Sequence, residues 1–355
     1  MKGLVHICSA NRVHLVPDIC KDLVEQLKDY SHNFLLIGAS ADNKAVYTNL
    51  FNSYTNVSYS FYDKLENVKS CDRKIKESIT FTHGLTYLNS VKLKLYGFKN
   101  VHWICWGESV NKSNGLSASL FYPVKRYLMG KIDGVITLMS SDEEKLRDNY
   151  GLRRVETIGY FSASKSSDFS KRELSIKLIT HKVLLGNNSS CISDYIKNVE
   201  TLKRFAGLIE IHCLLNYNLI KDDRYNQLVK LGQEYYGDKF STIESFMTQN
   251  EYLDFLKGYD IYICGELRQT GLGAINRALR LGIKVYLNGN NLEWFKQLGC
   301  VVCSTTQIPQ QSFDEFEAPL SFDERITNYN CISSFLDESE TLSKWVNYIE
   351  KNIKS

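Results

Sequence analysis

Short apolar runs alternate along this chain with longer segments in which apolar residues recur every three or four positions, the pattern of strands alternating with helices. In the first half, strands are predicted near Leu4 to Cys8, Phe34 to Ile37, Val57 to Phe61, Ile79 to Thr82, Val101 to Cys105 and Val135 to Leu138. In the second half they are predicted at Lys182 to Leu185, Ile209 to Leu214, Phe240 to Ile243, Ile261 to Cys264, Lys284 to Leu287 and Val301 to Cys303, with helices closing the chain. Such alternation implies an α/β fold with largely parallel sheets flanked by helices. The rhythm breaks at residues 162–177, SASKSSDFSKRELSIK, a polar, serine-rich stretch without periodicity and the expected hinge. Two Rossmann-like domains are therefore expected, 1–165 and 166–340, followed by a C-terminal helix over 341–355. Open parallel sheets bind ligands beyond the carboxyl ends of their strands, so the two halves are expected to face one another across a substrate.

The richest segment is DIYICGELRQTGLGAINRALRLGIKVYL, residues 260–287, which reads as strand, glycine-rich turn, amphipathic helix, strand. Leu272, Ile275 and Leu279 share one helical face, and Gly282 ends the helix. Gly271 and Gly273 let backbone approach an anion at the helix start, where unpaired N–H groups and the helix dipole favour a diphosphate. Arg268 supplies a guanidinium clamp, and Gln269, Thr270 and Leu272 complete the turn. The competing reading is a tight connection without a ligand. Asn276 occupies the place of the third glycine in a dinucleotide fingerprint, and no GxxxxGK[ST] stretch occurs, which argues against an NTP-hydrolysing P-loop. A second strand-to-helix turn, VLLGNNSSCISDYI, places Gly186, Asn187, Asn188, Ser189 and Ser190 at a strand end, with Ser193 as a candidate cap. These residues serve either a ligand or simple helix capping.

In the first half, His83 and Gly84 follow one predicted strand, and Trp106, Gly107 and Glu108 follow another. An aromatic ring there can stack on a sugar, and His83 or Glu108 can handle a proton during group transfer. His6 and His14, beside the first strand, have the same standing, whereas Trp103 is expected in the core. The segment GLSASLFYPVKRYLMGKI combines Phe121, Tyr122 and Tyr127 with Lys125 and Arg126, a mixture suited to an anionic membrane surface or to an ordinary amphipathic helix. Pro123 is expected to interrupt or kink it.

Composition narrows the classes. The 355 residues are 43% hydrophobic and 23% charged, and the net charge of +3 balances 43 basic against 40 acidic residues. This speaks against a nucleic-acid footprint as the main function. The ten cysteines lie mostly in apolar runs and read as reduced; Cys300 and Cys303 form a single CxxC without the second pair that a zinc site needs. No DxD triplet occurs, so a metal-independent mechanism with no cofactor is expected, the leaving diphosphate being stabilised by helix N-termini and Arg268. The N-terminal MKGLVHICS enters a strand without the apolar core of a signal peptide, and no run reaches the length of a membrane span. The chain is expected in the cytoplasm or peripherally on a membrane from that side.

Taken together, His83-Gly84, the WICWG stretch ending at Gly107, LFYP at Leu120 to Pro123 with Lys125 and Arg126, Gly186-Asn187, Tyr217, and RQTGLG from Arg268 to Gly273 resemble the bacterial dTDP-4-acetamido-4,6-dideoxygalactose transferases of enterobacterial common antigen synthesis. The likeness spans His6 to about Gly299, with departures at Ser109, in LLNYN around Tyr217, and in GNNSS, which bear on the identity of sugar and acceptor. It implies a GT-B type fold of two facing Rossmann-like domains and a hexosyltransferase that retains anomeric configuration. It further implies a dTDP-sugar donor, a polyprenyl-diphosphate-linked glycan acceptor of common-antigen or O-antigen (lipopolysaccharide) synthesis, and a place at the cytoplasmic face of the inner membrane. On this reading Gly186 to Ser190, Tyr217 and Arg268 to Gly273 hold the donor, while His6, His14, His83, Trp106, Gly107 and Glu108 face sugar and acceptor. A nucleotide-sugar epimerase or hydrolase of the same two-domain build is the alternative enzyme, and a solute-binding protein the alternative of another class.

Overall fold

The computed structural model describes residues 2–13, 15–107, 110, 116–161, 174, 180–186, 192–215, 219, 221–245 and 247–353, without the side chains of 116–120 and 249. The chain forms two compact units, Met1–Lys165 with Leu336–Ser355, and Ser166–Phe335.

The first unit runs β1 (Gly3–Ser9), α1 (Val16–Gln26), β2 (Ser31–Ile37), α2 (Ala41–Phe51), β3 (Val57–Tyr62), α3 (Arg73–Glu77), β4 (Ile79–His83), α4 (Tyr87–Leu95), β5 (Asn100–Cys105), α5 (Leu116–Met129), β6 (Gly134–Thr137), α6 (Ser140–Tyr150) and β7 (Val155–Thr157). The second runs β8 (Lys182–Leu185), α7 (Ile192–Leu202), β9 (Glu210–Leu214), α8 (Asp223–Tyr236), β10 (Phe240–Ile243), α9 (Gln249–Lys257), β11 (Ile261–Cys264), α10 (Leu272–Arg280), β12 (Lys284–Leu287), α11 (Gly289–Gln297), β13 (Cys303–Ser304), α12 (Phe313–Glu317) and α13 (Phe322–Phe335). The last helix, α14 (Glu338–Ile353), belongs to the first unit.

Both sheets are parallel throughout, ordered β3-β2-β1-β4-β5-β6-β7 and β10-β9-β8-β11-β12-β13. Central strands of such a sheet are covered on both faces, and β4, β6 and β11 are buried along their whole length. The edge strand β3 alternates instead, with VSYSFY half exposed. Each sheet has one switch point, where the chain order reverses. In the first unit it lies between β1 and β4, in the second between β8 and β11.

Three local differences from the sequence-based expectations have plain causes. Strand β7 goes unpredicted because it is only three residues, Val-Glu-Thr, held by pairing to β6 rather than by any apolar run. Helix α5 continues through Pro123, where the ring costs a ladder donor without ending the helix. Ser193 lies inside α7, which begins at Ile192, so it is not the cap. The serine-rich segment expected as the hinge contains the boundary between units but, apart from Leu174, lies outside the described residues. Helix α14 is fastened to the first sheet by a Tyr348 hydroxyl to His102 Nδ1 contact of 2.8 Å and by Trp345, whose indole N–H donates to Gly159 O at 3.0 Å.

Candidate functional site

The switch point of the second unit is where the sequence placed its phosphate cradle. Strand β11 ends at Cys264, and residues 265–271 lead to α10, whose cap residue Gly271 is left-handed (φ 67°, ψ 19°) and offers no side-chain cap. A glycine there turns the chain into the helix without the Cβ clash that other residues meet at positive φ. Gly271 itself thus places no side-chain acceptor in front of the first-turn N–H groups of α10, and the positive end of the helix dipole lies behind them.

Several contacts fix this loop. Asn291 Nδ2 donates to Thr270 O at 2.8 Å, and Asn290 N donates to Leu267 O at 3.0 Å, so α11 grips the turn from beneath. A Cβ on Gly289 would collide with the Leu267 backbone, which explains a glycine at that point. Gly265 N donates to Asp194 Oδ2 at 3.0 Å, tying the loop after β11 to α7. Burial raises the Asp194 carboxyl to about 6, against the Gly265 N–H, which favours the charged form. Gly186 closes the end of β8, donating to Ile263 O at 2.8 Å with φ +67°, and a Cβ there would fall inside the ring of Tyr195.

Arg268 stands half exposed, 3.7 Å from Glu266. Gln269 is buried, as is Asn276 on α10, and the side-chain oxygens of Gln269, Asn276 and Asn291 find no hydrogen-bond partner in the described structure. Buried amide oxygens of this kind are costly unless a partner meets them. Asp194, Glu266, Asn276 and Asn291 escaped the sequence-based selection as site residues: their contacts join positions far apart in the chain, and only the polar residue in an apolar helical stripe, Asn276, left a visible mark. Asn187, Asn188, Ser189, Ser190 and Tyr217 lie outside the described residues.

In the first unit, the register of β2, β1 and β4 sets three histidines on a diagonal: His32 beside Leu4, His6 between Phe34 and Phe81, and His83 beside Cys8. They form an unbroken buried chain. His32 Nε2 meets Leu27 O at 3.1 Å, His32 Nδ1 meets His6 Nε2 at 3.1 Å, His6 Nδ1 meets His83 Nε2 at 3.1 Å, and His83 Nδ1 meets the Tyr160 hydroxyl at 3.0 Å. A carbonyl only accepts, so the proton positions follow in sequence. His32 donates from Nε2 and accepts at Nδ1; His6 and His83 do the same; Tyr160 must donate to His83 and accept from Trp106 Nε1, 3.1 Å away. Burial holds all three rings neutral, taking His83 down to about 3, His32 to about 4 and His6 well below its usual value, where its two histidine neighbours add to the effect.

Both ring nitrogens of His83 and of His6 are therefore engaged within the protein. Trp106 stands half-buried at the end of β5, edge-on to Tyr160, and carries the guanidinium of Arg12 on its ring at 5.2 Å. Gly84 lies close beside both, and Gly107, at φ 80°, follows Trp106. Trp103 is core, with its indole N–H on Leu85 O at 3.0 Å. His14 and Glu108 lie outside the described residues.

The residues expected to form one membrane face divide between two sides of α5. Phe121 (68% exposed) and Tyr127 (64%) point outward, with Val124 (52%) between them and Arg126 also exposed. Tyr122 turns inward, donating to Asn149 O, and Lys125 lies over the rings of Tyr150 (4.6 Å) and Tyr87 (5.7 Å). Positions 122 and 125 share the helical stripe of Met129, and that spacing decides the matter. Among the described residues no group of three or more His, Cys, Asp or Glu is arranged to hold a metal, and no helix is long and apolar enough to cross a membrane.

A family model described as "4-alpha-L-fucosyltransferase glycosyl transferase group 56" matches residues 1–309. Among solved structures, a glycosyltransferase from Rickettsia africae ESF-5 superposes with a TM-score of 0.72 at 10% identity, covering 100% of this chain and 99% of the other. Anabaena Alr3699/HepE in complex with UDP-glucose gives 0.71 at 10% identity, covering 99% and 100%. Two Rossmann-like units with parallel sheets and these neighbours establish the GT-B type fold.

Proposed function

Since the chain belongs to the glycosyl transferase group 56 family and is a glycosyltransferase of GT-B fold, we propose that it moves a 4-acetamido-4,6-dideoxyhexose from dTDP to a polyprenyl-diphosphate-linked oligosaccharide. The setting is surface-polysaccharide synthesis, of the common-antigen or O-antigen type, at the cytoplasmic face of the inner membrane. The observation that carries the donor assignment is the left-handed Gly271 leading into an α10 N-terminus without a side-chain cap, at the switch point of the second unit. Supporting it, the Anabaena neighbour holds UDP-glucose, and the family description names a fucosyl group, itself a 6-deoxyhexose.

On this reading the α10 amides and Arg268 take up the charge that develops on the departing diphosphate, without a metal ion. The loop after Gly186 and Tyr217 meets the nucleoside. The sugar leaves with its anomeric configuration retained. Glu108 and His14 are the remaining candidates for proton handling in the first unit, because His6 and His83 have both ring nitrogens occupied. The outward row Phe121, Val124 and Tyr127, beside Arg126, is the surface offered to the membrane.

The test is a donor screen: dTDP-, UDP- and GDP-linked hexoses with a polyprenyl-diphosphate glycan acceptor. Transfer from a dTDP-linked 4-acetamido-4,6-dideoxyhexose is expected; transfer only from another nucleotide would overturn the donor assignment, and donor turnover without acceptor would favour the epimerase or hydrolase.

A further inference from the structure

On one face of the first sheet, the face bearing Val5, Ile7, Val101 and Val135, the turn Leu65–Ser70 and helices α3, α4 and α5 form a basic stretch. Among the described residues from 64 to 131, eleven are Lys or Arg and three are Asp or Glu. Over α1, α2 and α14, which cover the opposite face, the corresponding numbers are four and seven. The modest net charge of +3 therefore conceals a strong asymmetry within one unit. Glu66, Glu77 and, just beyond the stretch, Asp133 pair with Lys92, Arg73 and Lys94 at 3.7, 2.7 and 2.6 Å, and these three pairs leave it well on the positive side.

Helix α4 adds an apolar row to this charge. Ser90, Val91 and Leu93 face the sheet, so Leu88, Lys92 and Leu95, at i, i+4 and i+7, stand outward. Leu88 is 44% exposed, and Leu95, at 79%, is the most exposed large apolar side chain among the described residues. Cations and rings stand together on both helices: Lys69 lies 4.5 Å over Tyr96 just after α4, and Lys131 lies 4.5 Å over Tyr127 of α5. Lys125 of α5 reaches the Tyr87 ring at the first turn of α4 (5.7 Å), so the two helices are neighbours. Lysine is depleted from the buried centres of protein–protein interfaces, where its ammonium must be desolvated. Single leucines spaced by lysines suit a fluid anionic surface instead, into which the apolar tips dip while the ammonium groups stay among headgroups.

Resting on the reading of a lipid-linked acceptor, we infer that α4 is a second membrane-contacting helix beside α5. Leu88 and Leu95 enter the boundary between headgroups and acyl chains, while Lys64, Lys74, Lys92 and Lys99 recognise anionic phospholipid. The basic face of the first sheet is thereby turned to the bilayer, and the face covered by α1, α2 and α14 is turned away.

The test is co-sedimentation of the full chain with vesicles of phosphatidylcholine alone or with about one-third phosphatidylglycerol. The wild type is expected to pellet with the anionic vesicles only, and to be released by high salt. Leu88→Ser with Leu95→Ser should weaken partitioning severalfold, and Lys64→Gln, Lys74→Gln and Lys99→Gln together by about tenfold or more, with the thermal midpoint unchanged in both because every altered side chain is exposed. Variants of both kinds that pellet like the wild type overturn the inference, and so does equal pelleting with and without phosphatidylglycerol. Binding to poly-glutamate without binding to vesicles would give the surface to an acidic protein and overturn it too. A wild type that takes up dTDP in calorimetry yet stays in the supernatant with anionic vesicles overturns the inference and leaves the donor assignment standing.

Discussion

Replacing Gly186 by alanine probes the donor-side turn most sharply, because two separable penalties meet there. The first is backbone: a left-handed φ of +67° costs an alanine about 1–2 kcal/mol. The second is space. The new methyl would enter the ring of Tyr195, a fully buried residue anchored through its hydroxyl to Leu214 O at 3.1 Å, and overpacking of this kind costs about 1–3 kcal/mol. The second unit should lose roughly 2–5 kcal/mol, the combined range of strain and overpacking. In a Tyr195→Ala background only the strain survives, so the same substitution should cost about 1–2 kcal/mol. Urea unfolding read through amide exchange of β8 and β11 would isolate the unit concerned. Equal costs in the two backgrounds, or a cost below about 1 kcal/mol in the native one, would refute the claim that Tyr195 closes this space.

Three further predictions follow from the same geometry. The buried histidines have folded values below the unfolded 6.5, so the stability they contribute is complete above that pH and is lost as pH falls toward 3 to 4; with ~1.4 kcal/mol per pH unit for each ring, amide exchange in β1, β2 and β4 should accelerate steeply below pH 6. Flat protection from pH 7 to pH 5 would contradict the neutral chain. Asp194 has the opposite sign: raised from 3.8 to about 6, it makes the second unit lose up to ~3 kcal/mol as pH rises through that window, with no further change above it. Asp194→Asn keeps an acceptor for Gly265 N–H and should abolish that slope in urea titrations. Replacing Phe121, Val124 and Tyr127 together by serine should reduce co-sedimentation with anionic vesicles severalfold without lowering the thermal midpoint, since all three side chains are exposed.

Much of the architecture was legible because strands covered on both faces write themselves as apolar runs, as at Ile261 to Cys264; this strand, with Lys182 to Leu185, Phe240 to Ile243 and Lys284 to Leu287, has the expected bounds. The glycine turn before α10 was legible for the same local reason, since helix starts and left-handed glycines are properties of adjacent residues. What escaped depends on residues brought together by strand order. His6 and His83 are 77 positions apart, and nothing in SHNFLLI marks His32 as their partner. Asp194 and Gly265 are separated by 71 positions, and Arg12 by more still from the indole beneath it. The division of α5 into an outward apolar row and an inward Tyr122–Lys125 row was written in its periodicity, but basic and aromatic composition drew attention to the segment as a whole.

Whether the α10 N-terminus receives a nucleoside diphosphate can be read from an amide-resolved NMR titration of the full chain with dTDP. The largest shifts are expected on Gly186, Arg268 and the first-turn amides Leu272, Gly273 and Ala274, saturating together with a single Kd. Shifts confined to the first unit, or a saturating dTDP signal that leaves those first-turn amides unmoved, would contradict it.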